Sequence, residues 1–587
     1  MKELSDLEAT VMAAIDGREM WQTLEYLNTV DRTSGTDGEF AAVEWIVRKL
    51  EEYGVDHEVE EFEAYLSYPV RANLRVVAPV EREIRAKPKA FSRNTPPQGI
   101  AGELVFVPVV PDEVGVLDEK ANPDRDFEGV DVRGKVVLSF RGGPGAVEAA
   151  YRAGAVAHVQ VWSSGEDAIH EMIATPVWGT PTDETVANLP RIPALTITRA
   201  DGEALIDLCR RHGTVQVRLR SECQTGWRRQ LLPVATIRGT EEPEKFVLVA
   251  GHLDAWYVGI TDNGTGNAAC LELARVLQQH RDKLRRSVKI AWWPGHSTGR
   301  YAGSTWYADH HWHELNAHCL GYINIDSPGS RNAVDYTDLT ASEDMAALVK
   351  EAVLQVAGHA GEPERPIRAG DQSFWGAGVS SLYMLLSNLP REQWYDVGGS
   401  GMNWWWHTEY DTLDTADVGI LVKDTQIYAL SILRLTQPER LPHRALPLAE
   451  AAAGVLRSLA ATGAQFDLGP AQEATERFAE AAAAFDRAQA AGAGDPSRMN
   501  AGILAMLRVM IPLLYTKAGP FEHDPATAIP PLPGLDPVRR LARLDPGSDE
   551  FKFLHTRLVR QRNRYVAEVS RATAILLEAL RSASEGA

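Results

Sequence analysis

Hydrophobic and polar positions follow different periods in successive parts of the chain, and these periods divide it. Between 231 and 437, short apolar runs alternate with stretches of helical spacing. Buried strands alternating with amphipathic helices predict an α/β fold, a mixed sheet with helices on both faces. The strands are expected at 246–251, 287–293, 319–325 and 379–386, and the helices at 267–284, 341–358 and 414–436.

Two other regions have different sequence patterns. From about 70 to 230, short β segments are separated by Pro and Gly, which predicts a β-rich domain inserted into the α/β core. After Pro438 only helical spacing remains, so a C-terminal helical domain is predicted over 441–587. The core then comprises 1–69 and 231–440, and the inserted domain comprises 70–230.

The N-terminal part of the core begins with helical spacing over 3–28 and again over 37–53, where Gly54 ends the helix. The residues that follow alternate between apolar and charged. Phe62 continues this alternation after a slip of one residue. The pattern predicts a strand with a bulge, which Pro69 terminates.

Composition and charge narrow the classes of function. The net charge is -20 at pH 7. Nucleic acids and anionic membranes recruit basic patches, so neither is expected as a partner. The cysteines have no CxxC spacing, the N-terminus lacks an apolar signal segment, and no run of about 18 apolar residues occurs. We therefore expect a cytoplasmic protein without a membrane span or a disulfide framework.

The strongest chemical signal follows the predicted strand at 246–251. His252 and Asp254 end this strand, and Asp262 follows in a Gly-rich turn before the next helix. The carboxyl ends of strands in an α/β sheet are where ligands bind. An imidazole there, with a carboxylate close behind it to orient the ring, predicts half of a metal site.

Two more residues occupy comparable positions. Asp326 follows the strand at 319–325, and His407 lies in a turn before the last helix of the core. Taken singly, Asp326 is interpreted as a turn former and His407 as a packed ring. Together with His252 and Asp262, they gather imidazole and carboxylate at one edge of the sheet. Zinc and similar divalent ions use these ligands.

At these residues the sequence resembles the co-catalytic zinc aminopeptidases, especially the glutamate carboxypeptidase II and transferrin receptor group. The shared motifs are the turn 32–38, Gly251-His252-x-Asp254, Asp262, the strand 322–326 and His407-Thr-x-x-Asp411. The resemblance implies an aminopeptidase-like core with an inserted protease-associated domain. It also implies a homodimer formed through the C-terminal helical domain.

The resemblance assigns roles to the candidate ligands. It implies that Asp262 bridges two metals and that His252 and Asp326 complete the first site. His407 would belong to the second site, and Asp254 would orient His252.

One part of the family pattern is absent. The family carries an adjacent Glu-Glu pair after the next strand, in which the first glutamate is the general base and the second is a metal ligand. Here His296-Ser297 stands in that frame, and no carboxylate occurs from 283 to 308. Three hypotheses stay open. In the first, His296 replaces the ligand glutamate, in a second site with Asp262 and His407. In the second, His296 replaces the base, since a neutral imidazole can take a proton from water. In the third, the loop has lost its function and the protein is a non-enzymatic relative.

These observations predict a metal-dependent hydrolase that acts on an amide or peptide bond of a small molecule or short peptide. It would use one or two divalent ions, with zinc as the expected metal. His296 and Asp254 are the predicted catalytic residues. The predicted metal ligands are His252, Asp262, Asp326, His407 and His296. The alternatives are a different reaction on the same metal scaffold and a receptor- or scaffold-like relative.

Other side chains are candidates for contact with the substrate. Tryptophans near the proposed ligands predict an apolar pocket, among them Trp256, Trp293, Trp375 and Trp406. Arg300 and Arg368 are candidates to pair with a substrate carboxylate. Glu409 is an alternative carboxylate for proton transfer. The resemblance implies that the segment 520–524 reaches the site.

Overall fold

The computed structural model describes residues 3–109 and 123–584. The helices are α1 (Asp6–Ala13), α2 (Gly17–Leu27), α3 (Asp37–Tyr53), α4 (Pro144–Arg152), α5 (Arg199–His212), α6 (Thr265–Gln279), α7 (Ala302–His310), α8 (Trp312–His318), α9 (Ala346–Ala357), α10 (Val418–Thr436), α11 (Leu446–Thr462), α12 (Gly469–Ala490), α13 (Pro496–Tyr515), α14 (Val538–Leu541) and α15 (Asp549–Ser584). The strands are β1 (Asp56–Ala78), β2 (Arg82–Ile84), β3 (Lys87–Pro88), β4 (Ile100–Phe106), β5 (Val136–Ser139), β6 (Ala157–Val161), β7 (Ala194–Ile197), β8 (Val215–Ile237), β9 (Glu242–His252), β10 (Arg286–Trp293), β11 (Cys319–Asn324) and β12 (Ser381–Leu382).

A single sheet of 12 strands runs through the core and the inserted region. Its order is β12-β11-β9-β10-β8-β4-β5-β6-β7-β3, with β1 and β2 off this path. The long strands β1 and β8 pair antiparallel from Asp56↔Thr236 to Ala78↔Gln216. Both predicted limits of the inserted region, after 69 and before 231, fall inside these strands. The inserted region therefore continues the sheet of the core.

The predicted α/β fold class is confirmed in this sheet. Strands β10, β9, β11 and β12 are parallel neighbours, and their side chains alternate between two apolar layers. Val247 and Val249 face one layer, which also holds α6 and α10. Leu248 faces the opposite layer, together with Tyr307 of α7 and Leu315 of α8. Strands buried on both faces are expected in a parallel sheet that helices cover on each side.

The N-terminal segments differ from the sequence prediction in two details. The spacing over 3–28 forms two helices, because the side chain of Asp16 caps a second helix by accepting from the backbone N–H of Arg18. Strand β1 does not end at Pro69. Its ladder stays in register through the predicted slip before Phe62. It shifts between Pro69 and Arg71 and again between Val76 and Ala78, and pairing with β8 continues between these two points. Prolines within sheets occur at edges and bulges, and here the unpaired residue of the bulge, Val70, directly follows Pro69.

The C-terminal helices share one large apolar cluster with the core. Arg508 of α13 fastens the two regions by donating to the backbone carbonyls of Asn316 and Gly378. By length and composition, α13 is apolar enough to cross a membrane, but 67% of its apolar window is buried inside the protein. Its contacts within the folded chain account for its apolar composition.

The pair of His311 with Glu60 gives a test of how α7 and α8 are held to β1. His311 Nε2 lies 2.9 Å from Glu60 Oε1. Glu314 and Glu60 raise the pKa of His311 from 6.5 to about 9. A raised folded pKa adds stability that is complete below the unfolded pKa and lost as the pH rises through the folded value. We expect the free energy of unfolding to fall by ~1 kcal/mol between these pH values, after allowance for solvent screening. His311→Gln should remove that decline in denaturant titrations.

His310→Gln is the matched control, since His310 is the exposed neighbour in the chain. It should keep the decline of the native protein. A decline of the same size in His311→Gln would show that the pair does not contribute.

Candidate metal centre

Asp262 lies between two histidines. It occupies the loop between β9 and α6, and its side chain is buried. Its Oδ1 is 3.2 Å from Nε2 of His252, and its Oδ2 is 3.1 Å from Nε2 of His407. Asp326, just after β11, places Oδ1 3.6 Å from the same His252 nitrogen. The structure thus brings these predicted ligands together, with Asp262 in the bridging position.

Both histidines are anchored through the other ring nitrogen. His252 Nδ1 lies 2.7 Å from the backbone carbonyl oxygen of Asp254, and His407 Nδ1 lies 2.8 Å from that of Glu171. A carbonyl oxygen only accepts, so Nδ1 carries the proton and Nε2 of the neutral ring presents a lone pair. That lone pair faces a carboxylate oxygen, which is also an acceptor. The contact is favourable only with a cation between the two atoms or with a second proton on the ring. This donor set therefore fits a divalent metal.

The electrostatics of the cluster give the same result. Burial alone would lower the pKa of His252, but Asp326 and Asp262 raise it well above its ordinary value. Burial alone would raise the pKa of Asp262, but His252 and His407 hold it well below the ordinary carboxyl value. The carboxylate of Asp262 thus stays ionised inside the protein and attracts positive charge, which a proton or a metal ion can supply.

The carboxylate of Asp254 does not orient His252, contrary to the sequence prediction, because the ring contacts the backbone carbonyl instead. Its Oδ1 accepts from the backbone N–H of His296 at 2.8 Å. Its Oδ2 accepts from the backbone N–H of Ser297 and the hydroxyl of Ser34, both at 2.7 Å. The chain turns after β9, which aims this carboxylate at the loop after β10. The carboxylate of Asp254 therefore positions the loop that carries His296.

The turn at 31–38 holds the loop after His252 from the other side. The guanidinium of Arg32 is fully buried and donates to three backbone carbonyls, those of Leu253, Val258 and Gly259. Gly251 is needed for a steric reason, since a Cβ there would lie 2.4 Å from the carbonyl oxygen of Ile325. Any side chain at that position would push β9 away from the segment that carries Asp326.

Asp411 fixes the backbone of the bridging residue. Its Oδ1 accepts from the N–H of Thr261 at 2.9 Å and from the hydroxyl of that residue at 2.7 Å, and its Oδ2 accepts from the N–H of Asp262 at 3.0 Å. Burial raises the pKa of Asp411 to about 6, although the bonds from Thr261 oppose the shift. The motif His407-Thr-x-x-Asp411 thus supplies one candidate ligand, His407, and the residue that holds the backbone of another, Asp262.

His296 lies beside the first histidine and not beside the second. Its ring stacks on that of His252, with centroids 3.9 Å apart and planes 14° apart. A ligand atom of His296 lies within 4.8 Å of ligand atoms of His252 and Asp326. This grouping places His296 with the residues of the first half-site. The Nδ1 of His296 is 2.7 Å from Oδ2 of Asp371, a partner that the sequence analysis missed.

A cavity of about 250 Å³ opens onto these side chains. Asp262, His296, Asp326 and His407 line it, and Trp406 forms part of its apolar wall while stacking on His407 at 3.5 Å. Met172 and Ile173 of the inserted region complete the wall. The predicted aromatic lining is thus present at Trp406, whereas Trp293 and Trp375 are buried in the core.

Three other candidates from the sequence lie elsewhere. Arg368 is buried, with its guanidinium donating to the carbonyl of Asp524 and lying 3.6 Å from the ring of Trp178. Glu409 lies 3.3 Å from Lys87 and does not line the cavity. The segment 520–524 lines a separate cavity of about 650 Å³. The positions of these side chains depend on contacts between distant segments, which no local sequence pattern encodes.

Two supports of the site had no signal in the sequence. Asp371 follows a glycine in a loop, and its Oδ1 accepts from the hydroxyl of Ser304 at 2.6 Å. Only the proximity of that loop to His296 gives Asp371 a role. Glu171 acts through its backbone carbonyl, which any residue would provide, so its residue type could not reveal the contact with His407.

Comparison with known proteins agrees with this geometry. Residues 234–430 match Peptidase family M28. The chain is 25% identical to the probable glutamate carboxypeptidase VP8 of Zea mays over 360 residues, which cover 52% of this chain and 49% of that protein. It is 28% identical to the probable lipoprotein aminopeptidase LpqL of Mycobacterium tuberculosis over 321 residues, or 54% of this chain and 58% of that protein. The chain thus spans about half the length of these curated relatives.

Two solved structures share the fold. One is a peptidase M28 precursor from Shewanella amazonensis, with a TM-score of 0.57, 20% identity, and coverage of 73% of this chain and 95% of that one. The other is a zinc aminopeptidase from Bacillus subtilis, with a TM-score of 0.54, 18% identity, and coverage of 72% and 96%. The aminopeptidase-like fold and the resemblance seen in the motifs are confirmed.

The two histidines should contribute unequally to metal binding. Nε2 of His252 lies near two carboxylates, those of Asp262 and Asp326, whereas the ion pair of His407 is with Asp262. We expect His252→Ala to abolish the tight binding of zinc in a calorimetric titration of the metal-depleted protein. His407→Ala should keep one tight equivalent and lose only weaker binding.

His313→Ala, at an exposed histidine outside the site, is the control for removal of an imidazole and should bind zinc like the native protein. Loss of the tight equivalent in His407→Ala but not in His252→Ala would contradict the assignment of the stronger site to His252.

Proposed function

Because residues 234–430 match Peptidase family M28, we propose that this protein is a metal-dependent hydrolase of amide or peptide bonds in a small molecule or short peptide. The observation that carries the proposal is the position of Asp262, whose two carboxylate oxygens face Nε2 of His252 and Nε2 of His407. A carboxylate between two imidazoles provides adjoining half-sites, as in two-metal hydrolytic centres.

The donor set favours zinc. His252, Asp262 and Asp326 would hold one ion, and Asp262 with His407 would hold a second, weaker one. A bound zinc ion supplies Lewis acidity, which polarises the substrate carbonyl and makes water a better nucleophile. The carboxylates, the anchored rings and the apolar wall at Trp406 orient the substrate and limit its contact with bulk water.

In this proposal, His296 is the proton acceptor that replaces the absent glutamate. Its Nδ1–H donates to Asp371, so Nε2 is free to take a proton from the attacking water, and Asp371 stabilises the imidazolium that forms. The stacking of His296 on His252 supports this role. The two rings are nearly parallel, so His296 lies beside the residues that would hold the ion.

The alternative of a non-enzymatic relative has less support. In a relative that binds no metal, anchored imidazoles that converge on buried carboxylates would destabilise the fold, because such contacts are costly without a cation. The location in the cytoplasm, the dimer formed through 441–587, and the absence of nucleic-acid and membrane partners stay predictions from the sequence.

Substitution of the proposed base tests the mechanism. His296→Gln should lower kcat by at least about 100-fold, the usual contribution of a general base, while zinc binding is retained. Asp371→Asn should lower kcat in the same direction, because the amide does not stabilise the imidazolium. Steady-state kinetics on a dipeptide panel, with zinc content measured on each variant, would check both expectations.

Glu409→Gln is the matched control, since it neutralises the other candidate carboxylate outside the cavity and should leave kcat unchanged. A loss of kcat in Glu409→Gln with none in His296→Gln would reverse the assignment of the base. Loss of zinc from His296→Gln would instead assign His296 to the metal.

A further inference from the structure

Arg300 differs from the other buried arginines of the described chain. Arginines that are at most 5% exposed there are Arg32, Arg141, Arg286, Arg300 and Arg368. Four of these bind acceptors of the protein: Arg32 and Arg368 bind backbone carbonyls, Arg141 binds Asp126, and Arg286 binds Glu242 and two carbonyls. For Arg300, the Nε and Nη2 atoms are buried with no hydrogen-bond partner among the described residues.

The unpartnered atoms define the chemistry of the missing partner. Nε and Nη2 carry the two N–H groups on one edge of the guanidinium, and their parallel N–H bonds match the two oxygens of a carboxylate. Buried N–H groups without an acceptor are costly, because these donors have lost their hydration and gained no hydrogen bond in exchange. An anion that enters the site would supply this acceptor.

The position of Arg300 connects that anion to the reaction. Arg300 lies in the loop that carries His296 and lines the same cavity of about 250 Å³ as His296 and Asp262. Its backbone carbonyl accepts from the N–H of Gly179 in the inserted region at 2.6 Å, which fixes the loop at this point. Ser297, in the same loop and the same cavity, also has a buried hydroxyl without a partner among the described residues.

From these observations we propose that Arg300 binds a free carboxylate of the substrate, with Ser297 as an additional donor. The substrate would then carry a carboxylate close to the bond that is cleaved, as a short peptide with a free C-terminus does. This inference rests on the proposed hydrolase function for the reaction but on Arg300 alone for the recognition of the anion.

Matched substrates and variants test the proposal. Dipeptides with a free C-terminal carboxylate are compared with the same dipeptides as C-terminal amides, on the zinc-loaded protein. We expect kcat/KM to favour the free carboxylate by about 10- to 100-fold, the contribution of one charge-assisted bidentate contact. This ratio should fall toward one in Arg300→Met and take an intermediate value in Arg300→Lys, which keeps the charge but loses the paired donors.

Arg365→Met is the control for loss of positive charge at the cavity. Arg365 lines the same cavity, but its guanidinium already contacts Glu343 and the carbonyl of Leu514. It should keep the native ratio. Thermal melts would show that the variants fold, and Arg300→Met should melt no lower than the native protein, because it removes two buried donors that have no hydrogen-bond partner among the described residues.

Binding measurements separate this inference from the proposed function. Calorimetry compares an N-acetyl amino acid with its amide on the zinc-loaded protein. Selective binding of the acid that Arg300→Met abolishes supports the inference, even if no dipeptide is cleaved. Cleavage of both dipeptide forms at equal rates would overturn the inference and leave the hydrolase intact. An unchanged ratio in Arg300→Met would also overturn it.

Discussion

The requirement for a positive charge beside Asp262 governs the arrangement of this site. The Nδ1 atoms of His252 and His407 face carbonyl oxygens, so their Nε2 lone pairs point at carboxylate oxygens. Acceptors that face one another repel unless a cation lies between them. The supports of the site hold this geometry in place: Arg32 fixes the loop after His252, and Asp411 fixes the backbone of Asp262. Their burial supplies the rigidity that a preorganised centre needs.

The inserted region is part of this centre. Strands β1 and β8 carry the sheet of the core into that region without a break, so its loops have a fixed position over the cavity. The carbonyl of Glu171 anchors His407, and the carboxylate of the same residue lies 3.3 Å from Nζ of Lys87. The anchor of one imidazole and part of the cavity wall therefore lie outside the segment 234–430.

Much of the fold and the positions of the candidate ligands could be predicted from the sequence, because strand periodicity and strand-end positions are local signals. The helix at 37–53 and the strands that end at His252 and before Asp326 illustrate this. The roles of supporting residues could not be predicted. The carboxylate of Asp254 bonds to the loop of His296, and Asp371 bonds to His296 from a distant segment. Such contacts depend on loop conformation, which the period of hydrophobic positions does not predict.

We propose that His252, Asp262 and Asp326 would hold a zinc ion and that His296 is not one of its ligands. A crystal structure of the zinc-loaded protein, with anomalous diffraction at the zinc edge, tests it most directly. We expect zinc bound to Nε2 of His252 and to Asp262 and Asp326, at distances of about 2.0–2.2 Å. We also expect Nε2 of His296 to be too far from zinc to be a ligand. Zinc bound to His296, or no zinc at Asp262, would contradict this assignment.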